Sequence, residues 1–310
     1  MSTFILKRLL LVLPLLLGIT AITFALAKAL PGDPVYSIIG ERSRPEIIEK
    51  IRSEIGADKG LMRQYAGYMK LLAQGEMGRS YFTDRSVRDD LLTKFPNTLR
   101  LALAAMIIAL PMGVLCGFVS AKHRGRVCDR VISLCAISGI SMPVFWSGLL
   151  LMLFFSLRMR LLPPSGTGGL KYLLLPAVTL SLPALATLAR VTRVTVLDIM
   201  SMPYVRTARA KGISEAGVGM VHILKNAVIP VITISGLEFG SYLNGAVLTE
   251  TIFGWDGIGR YAMEGILRRD YPVVMGCLLF GTIAFVITNL LVDVVYHYAD
   301  PRVRLHGTGR

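Results

Sequence analysis

Charge is what this sequence has least of. Only 17% of its 310 residues are Asp, Glu, Lys or Arg, against 53% hydrophobic, and the mean hydropathy is +0.59. A water-soluble domain needs more charge than that on its surface, so the ordinary soluble class is excluded. Cysteine is sparse too. Cys116, Cys135 and Cys277 lie in apolar runs and Cys128 in a basic turn, without metal-type spacing. Neither a disulfide framework nor a metal site is expected. The histidines, His123, His222, His297 and His306, form no HExxH pattern and no convincing pair. No Walker-type phosphate loop, no strand-borne GxGxxG and no GxSxG elbow occurs, so nucleotide hydrolysis and serine-hydrolase chemistry have no carrier here. These absences speak against a membrane-embedded enzyme.

What the chain has in quantity is uninterrupted apolar sequence. Residues 9–27, 101–121, 131–157, 172–189 and 273–292 carry no charge, and 227–249 is interrupted only by Glu238. Each is close to the roughly 20 residues that a helix needs to cross hydrocarbon. The reading is an all-α membrane protein with six transmembrane helices. Lys7 and Arg8 before the first run, and Ala27-Lys28-Ala29 after it, resemble a secretory signal. The run of 19 residues is longer than a signal's apolar core, so an uncleaved anchor is expected.

The net charge of +14 is distributed as topology requires. With the N-terminus inside, the short inner segments hold two, four, six and three basic residues in turn, whereas the outer loops 158–171 and 250–272 hold three each. This is the positive-inside bias, and it accounts for the basicity without a nucleic-acid partner. Both termini are then cytoplasmic.

The chain divides accordingly. Residues 1–30 form the first transmembrane helix, and Leu30-Pro31-Gly32-Asp33-Pro34 ends it. Residues 31–97 form an extracytoplasmic helical loop, with Ile47, Ile48, Ile51 and Ile55, then Met62, Tyr65, Met69 and Leu72, at helical spacing. A solvated cap and a functional lid both fit that loop. Residues 98–298 form a five-helix core and 299–310 a tail. Pro163-Pro164-Ser165-Gly166-Thr167-Gly168-Gly169 is a loop signature. Pro176 and Pro183 are expected to kink the fourth span, which is tolerated only beside protein or water.

Small residues four apart, Gly236 and Gly240, Ser241 and Gly245, and Gly113 and Gly117, allow close helix approach. Ionisable groups within spans are costly and become functional candidates. Asp293, with Asn289, lies near a span end and reads as structural. Glu238 lies mid-span, where it either faces a pathway or pairs with a neighbouring helix. The candidates for pathway or helix interface are Glu238, Gly236, Gly240, Asn244 and Glu250, the last at the outer end of the fifth span. A proton-coupled carrier would need a chain of such groups and an internal repeat of broken helices. One mid-span Glu and no repeat leave that class second.

Residues 190–225 hold six Lys/Arg against two Asp/Glu, and so cannot sit in hydrocarbon. Ser201 is expected as N-cap with Pro203 in the first turn, giving a short helix over 202–211 that Gly212 ends. Ser214 then caps a second helix toward His222, and Pro230 opens the next span. This helix–glycine–helix would expose Arg206, Arg209 and Lys211, either to lipid headgroups or to a protein partner.

Tyr204-Val205-Arg206-Thr207-Ala208-Arg209-Ala210-Lys211-Gly212 resembles the cytoplasmic loop of the permease subunits of ABC importers, in the dipeptide, oligopeptide and nickel branch. Arg206 and Thr207 depart from the general consensus as that branch does, and Leu224 to Pro230 match its later apolar-Pro element. The likeness extends to Leu30–Pro34, to Leu248–Arg260 with Asp256 where Pro is usual, to Arg269–Val274, to Asn289–Asp293 and to Asp300-Pro301-Arg302. It implies a type I (MetI-like) importer permease fold in a bacterial inner membrane. The loop at about 196–226 would be the coupling segment, in which Tyr204, Arg206, Thr207, Ala208, Arg209, Ala210, Lys211 and Gly212 meet an ATPase. The resemblance further implies a second homologous permease subunit, two ATPase subunits that bind ATP and Mg, and an extracytoplasmic solute-binding protein. No cofactor and no catalysis are expected of this chain. The solute implied is a short peptide, or else a nickel chelate or glutathione-like compound.

Overall fold

The computed structural model describes residues 2–29, 49, 58, 60–244 and 246–299. The regular structure among its described residues is helical, apart from one isolated bridge between Arg79 and Ser86. In chain order the helices are α1 (Ser2–Ala29), α2 (Leu61–Ala73), α3 (Val87–Lys122), α4 (Val127–Ser141) and α5 (Val144–Arg158). They continue with α6 (Leu170–Met200), α7 (Pro203–Ala210), α8 (Glu215–Leu243), α9 (Val247–Ile252), α10 (Ile258–Arg268) and α11 (Tyr271–Ala299).

Among these, α3, α6, α8 and α11 are each long and apolar enough to cross a membrane. The third apolar run behaves differently from the reading above. It is not one continuous helix but two, α4 and α5, bent by 105° at Met142-Pro143. Pro143 has no N–H to continue the ladder and restricts the residue before it, so the helix ends at Ser141 and restarts beyond the ring. The fifth run also departs: its helix stops at Leu243, and Glu250 belongs to the separate α9. Pro230 does not open that span but lies inside it. The core's first helix begins at Val87, well before residue 98. The isoleucines at 47, 48, 51 and 55, Gly245, the Leu30–Pro34 motif and Asp300-Pro301-Arg302 lie outside the described residues.

The chain packs as two compact units, with α3 and α11 each contributing residues to both. The first draws on residues up to Thr98, on Asn244–Thr251 and on Asp256–Val286. Val87, Leu91, Ile258, Tyr261, Val273 and Cys277 form its core, and Phe95 meets Phe280 edge-on at 5.2 Å. A second cluster joins α1 to α2 and α11 through Phe24, Tyr68, Tyr271 and Met275. The expected helix at Met62–Leu72 is thus α2, turned so that Tyr68 is buried while Met62 faces out.

The second unit comprises Leu99–Leu243, Ile252–Trp255 and the chain from Ile287 onward. Gly113 and Gly117 let α3 lie directly against α6. A Cβ at Gly117 would meet the Ala189 carbonyl oxygen at 2.5 Å and the Thr192 Cβ at 2.6 Å. That spacing had a structural purpose, as does Gly236, where a Cβ would strike Val292 of α11.

Candidate functional site

The basic segment folds as a clipped helix pair within the second unit. Met202, with extended backbone, is the N-cap of α7, and Pro203 occupies the first helical position, where a missing N–H costs nothing. The expected cap, Ser201, instead closes α6, its hydroxyl donating to the Asp198 carbonyl at 2.7 Å. At the other end the Gly212 N–H donates to Arg209 O (2.9 Å) and the Ile213 N–H to Ala208 O (3.3 Å). Together these form a Schellman closure. Gly212 has φ +78°, the left-handed region that the closure demands, and open space around the position a Cβ would take. Ser214 then caps α8, its Oγ accepting the Gly217 N–H at 3.2 Å. The segment 218–224 continues α8 as a π-helical stretch.

The inner face of α7 is anchored. Val205 and Ala208 are buried against Ala121 of α3, Val196 and Ile199 of α6, and Val218, Ile223 and Ala227 of α8. The outer face presents Tyr204, Arg206, Thr207, Ala210 and Lys211 to solvent. Arg209 is the exception to the expected exposed trio. Its Nε and Nη2 donate to both oxygens of Glu215, at 2.8 and 3.3 Å, across the Gly212 turn. Tyr204 is held in turn by Asn226, whose amide donates to its hydroxyl at 3.2 Å.

Beneath α7 lies an ion pair that the sequence reading missed. Asp129, buried at the start of α4, receives Arg193 Nε at 2.7 Å and Nη2 at 2.9 Å. It also accepts the Ser120 hydroxyl at 2.6 Å and the Gly125 N–H at 2.9 Å. One carboxylate thereby ties the end of α3, the turn after it, α4 and α6 into a platform. Arg193 stands one turn before Val196, on which α7 rests. A lone acid within the basic stretch 122–130 was the available signal.

The remaining candidates separate by unit. In the second, Gly236 and Gly240 are buried and Glu238 is half-buried. In the first unit, Asn244 packs on α11, where a Cβ at Gly281 would meet its Oδ1 at 2.5 Å. Glu250, fully buried, caps α10 from outside. Its Oε1 accepts Thr98 Oγ1 at 2.8 Å and its Oε2 the Arg260 N–H at 3.0 Å, while Thr98 itself accepts the Ile258 N–H at 2.9 Å. A Cβ on Gly257 would sit 2.5 Å from the Glu250 carboxyl carbon, and one on Gly259 would sit 2.8 Å from Val247 Cα. Burial pushes the Glu250 carboxyl above the ordinary carboxylate range, opposed by the N–H and O–H groups that donate to it. Asp256 pairs with Lys94, and its carbonyl accepts Asn97 at 2.8 Å. Asp270 accepts the Ser80 hydroxyl at 2.6 Å and the Tyr81 N–H at 3.2 Å, fixing the 79–86 turn. Burial, then the Asp270 charge, pushes the Tyr81 hydroxyl up to about 12.

Nothing in these arrangements assembles a nucleophile with a base. What they build is a solvent-facing helix on a salt-bridged platform, carried by apolar helices. Comparison with known proteins adds the family. Residues 109–305 match the family described as "Binding-protein-dependent transport system inner membrane component", and residues 1–102 match "Binding-prot-dependent transport system membrane comp, N-term". The chain is 42% identical to the di/tripeptide transport system permease protein DppB of Pseudomonas aeruginosa, over 98% of this chain and 99% of that one. It is 38% identical to the dipeptide permease DppB and to the glutathione permease GsiC of Escherichia coli, over the same shares. Among solved structures, the inward-facing MetNI methionine ABC transporter superposes with a TM-score of 0.59 at 16% identity, over 68% of this chain and 96% of that one. At that identity the likeness speaks for the fold.

Proposed function

The chain belongs to the binding-protein-dependent transport system inner membrane components, in their dipeptide/oligopeptide-type branch of ABC importer permeases, and we propose that it forms half of the membrane pathway of such an importer, carrying short peptides. A second, homologous but different permease subunit completes the pathway. Two ATPase subunits bind ATP and Mg, and an extracytoplasmic binding protein delivers the solute. The six crossings are α1, α3, the bent pair α4–α5, α6, α8 and α11, with both termini on the cytoplasmic side of a bacterial inner membrane. The bias of basic residues toward the segments that include 122–130 and 190–225 supports that orientation.

In this reading α7 is the coupling helix. The observation that carries it is the asymmetry of α7, with Val205 and Ala208 buried on the platform and Tyr204, Arg206 and Lys211 turned outward. A helix closed at Gly212 and clipped by Arg209–Glu215 moves with its platform, so closure of the ATPases displaces the ends of α3 and α6. Thr207 and Ala210 set the thickness of that contact, whereas Ala208 faces the platform and acts by holding the helix there. A photo-crosslinking residue at Arg206, in the complete complex, is expected to join this chain to an ATPase subunit, and the same probe at the distant Arg158 is not. Adducts at Arg206 with lipid alone would overturn the assignment in favour of a headgroup-binding helix.

A second solute reading, a glutathione-like compound, is favoured by the 38% identity to a glutathione permease. Uptake of a dipeptide by the reconstituted complex, competed with glutathione, separates the two.

A further inference from the structure

Two cavities adjoin between α4 and α6 in the second unit. One, of about 570 Å³, is lined by Ser120, Ser133, Arg190 and Arg193 among apolar side chains. The other, of about 560 Å³, has an almost wholly apolar wall that includes Leu134, Leu182 and Leu185. Ile132, Ala136 and Ala189 line both, so the two form one groove with a cationic end and a greasy end. Each volume falls in the range of roughly 300–1,000 Å³ typical of ligand sites.

The two arginines differ in their engagement. Arg193 is committed to Asp129. Arg190, nearly one turn earlier on the same membrane-spanning helix, is exposed and makes no ion pair or hydrogen bond with any described residue. The surface around it is apolar and open, with Val131, Leu134, Ile137 and Val194 all exposed. Arg190 directly follows the apolar run 172–189, so this face lies at the membrane boundary, where a guanidinium left without a protein partner is placed to meet an anionic headgroup. Arg130, also exposed, stands one turn before Ser133 at the same end of α4.

We propose that this groove binds one anionic phospholipid, its phosphate on Arg190 and an acyl chain in the apolar cavity. Guanidinium and phosphate match as a two-point, charge-assisted pair. A free phosphate would leave the apolar half empty, whereas a phospholipid fills both halves with the polarity the groove offers. The proposal needs only that the chain lies in a bilayer with α6 ending in the cytoplasm, and does not depend on the solute.

The test is native mass spectrometry of the complete complex released from nanodiscs of phosphatidylcholine and phosphatidylglycerol. The wild-type complex should retain one phosphatidylglycerol per copy of this chain, and no phosphatidylcholine in its place. Arg190→Ala should lower that retention about tenfold, equivalent to ~1.4 kcal/mol, Arg190→Lys should keep most of it, and Arg124→Ala, in the turn after α3, should leave it unchanged. Equal retention by Arg190→Ala overturns the proposal. So does loss of the second permease subunit from Arg190→Ala with its lipid intact, which would make Arg190 a subunit contact.

Discussion

Replacing Gly212 in turn with asparagine, alanine and valine distinguishes a backbone requirement from a side-chain contact. At φ +78° an added Cβ meets nothing within 4 Å, so the first side-chain atom clashes with no other element. The whole effect comes from the left-handed backbone. That conformation costs an ordinary L-residue roughly 1–2 kcal/mol, asparagine less and a β-branched residue more. If valine instead relaxes the turn, the two Schellman bonds are lost, at about 1 kcal/mol each. The cost for valine is whichever is the smaller, about 2 kcal/mol, comparable with what burial of Val205 supplies to hold α7 on its platform. A population shift of that size is roughly thirtyfold. The assay is uptake by the complete complex in proteoliposomes, with ATP hydrolysis stimulated by loaded binding protein measured on the same preparation. Uptake should fall in the order Gly, Asn, Ala, Val, and Gly212→Val should abolish it while basal hydrolysis persists. Wild-type uptake and stimulation in Gly212→Val would refute the reasoning. So would an asparagine variant as damaged as valine, because asparagine keeps the backbone.

Two further predictions concern buried carboxylates. Asp129→Ala strands Arg193 and the Ser120 hydroxyl, and should lower stability by about 2–3 kcal/mol, read as a fall in melting temperature of the detergent-solubilised complex; the double variant Asp129→Ala/Arg193→Leu should recover part of the loss. Glu250→Gln puts an amide donor against the N–H and O–H donors that now meet the carboxylate, and should cost about 2 kcal/mol. Because the folded Glu250 carboxyl is raised above its ordinary value of 4.5, its contribution to stability is fully present below that value and is lost as pH rises through the folded value. Thermal melts as a function of pH should therefore show a falling slope in the wild type that Glu250→Gln flattens.

Local rules carried the sequence reading wherever a feature depended on neighbours a few residues away. The Met62–Leu72 helix, the Gly212 closure and the Ser214 cap were legible because their partners lie within one turn. Span boundaries were less so. The apolar run 131–157 hid a break because hydropathy averages over a window and is blind to one Pro143, and Pro230 misled in the opposite direction, since neighbouring helices let a proline stay inside a span. Arg209 counted as a free charge because Glu215 reaches it only across the turn. Arg193 and Asp129 meet across 64 positions, and no periodicity connects them. Glu250 could be named as a costly charge, but its purpose needed Gly257 and Gly259 brought against it.

The break at Met142-Pro143 also changes what the third segment asks of its surroundings. Fifteen residues of α4 rise only about 22 Å, short of the roughly 30 Å of hydrocarbon, so α4 alone does not cross. The Ser138 carbonyl accepts the Met142 N–H at 3.0 Å, but the carbonyls after it have no following helical turn to supply donors, and lipid tails supply none. Pro143 brings no orphan N–H of its own, so the deficit is one of donors alone. Whatever stands at that elbow must therefore offer hydrogens, and water or a polar side chain can do so. In the six-crossing topology proposed above, the third segment would therefore be set by the polar groups at its elbow as much as by how many apolar residues it contains.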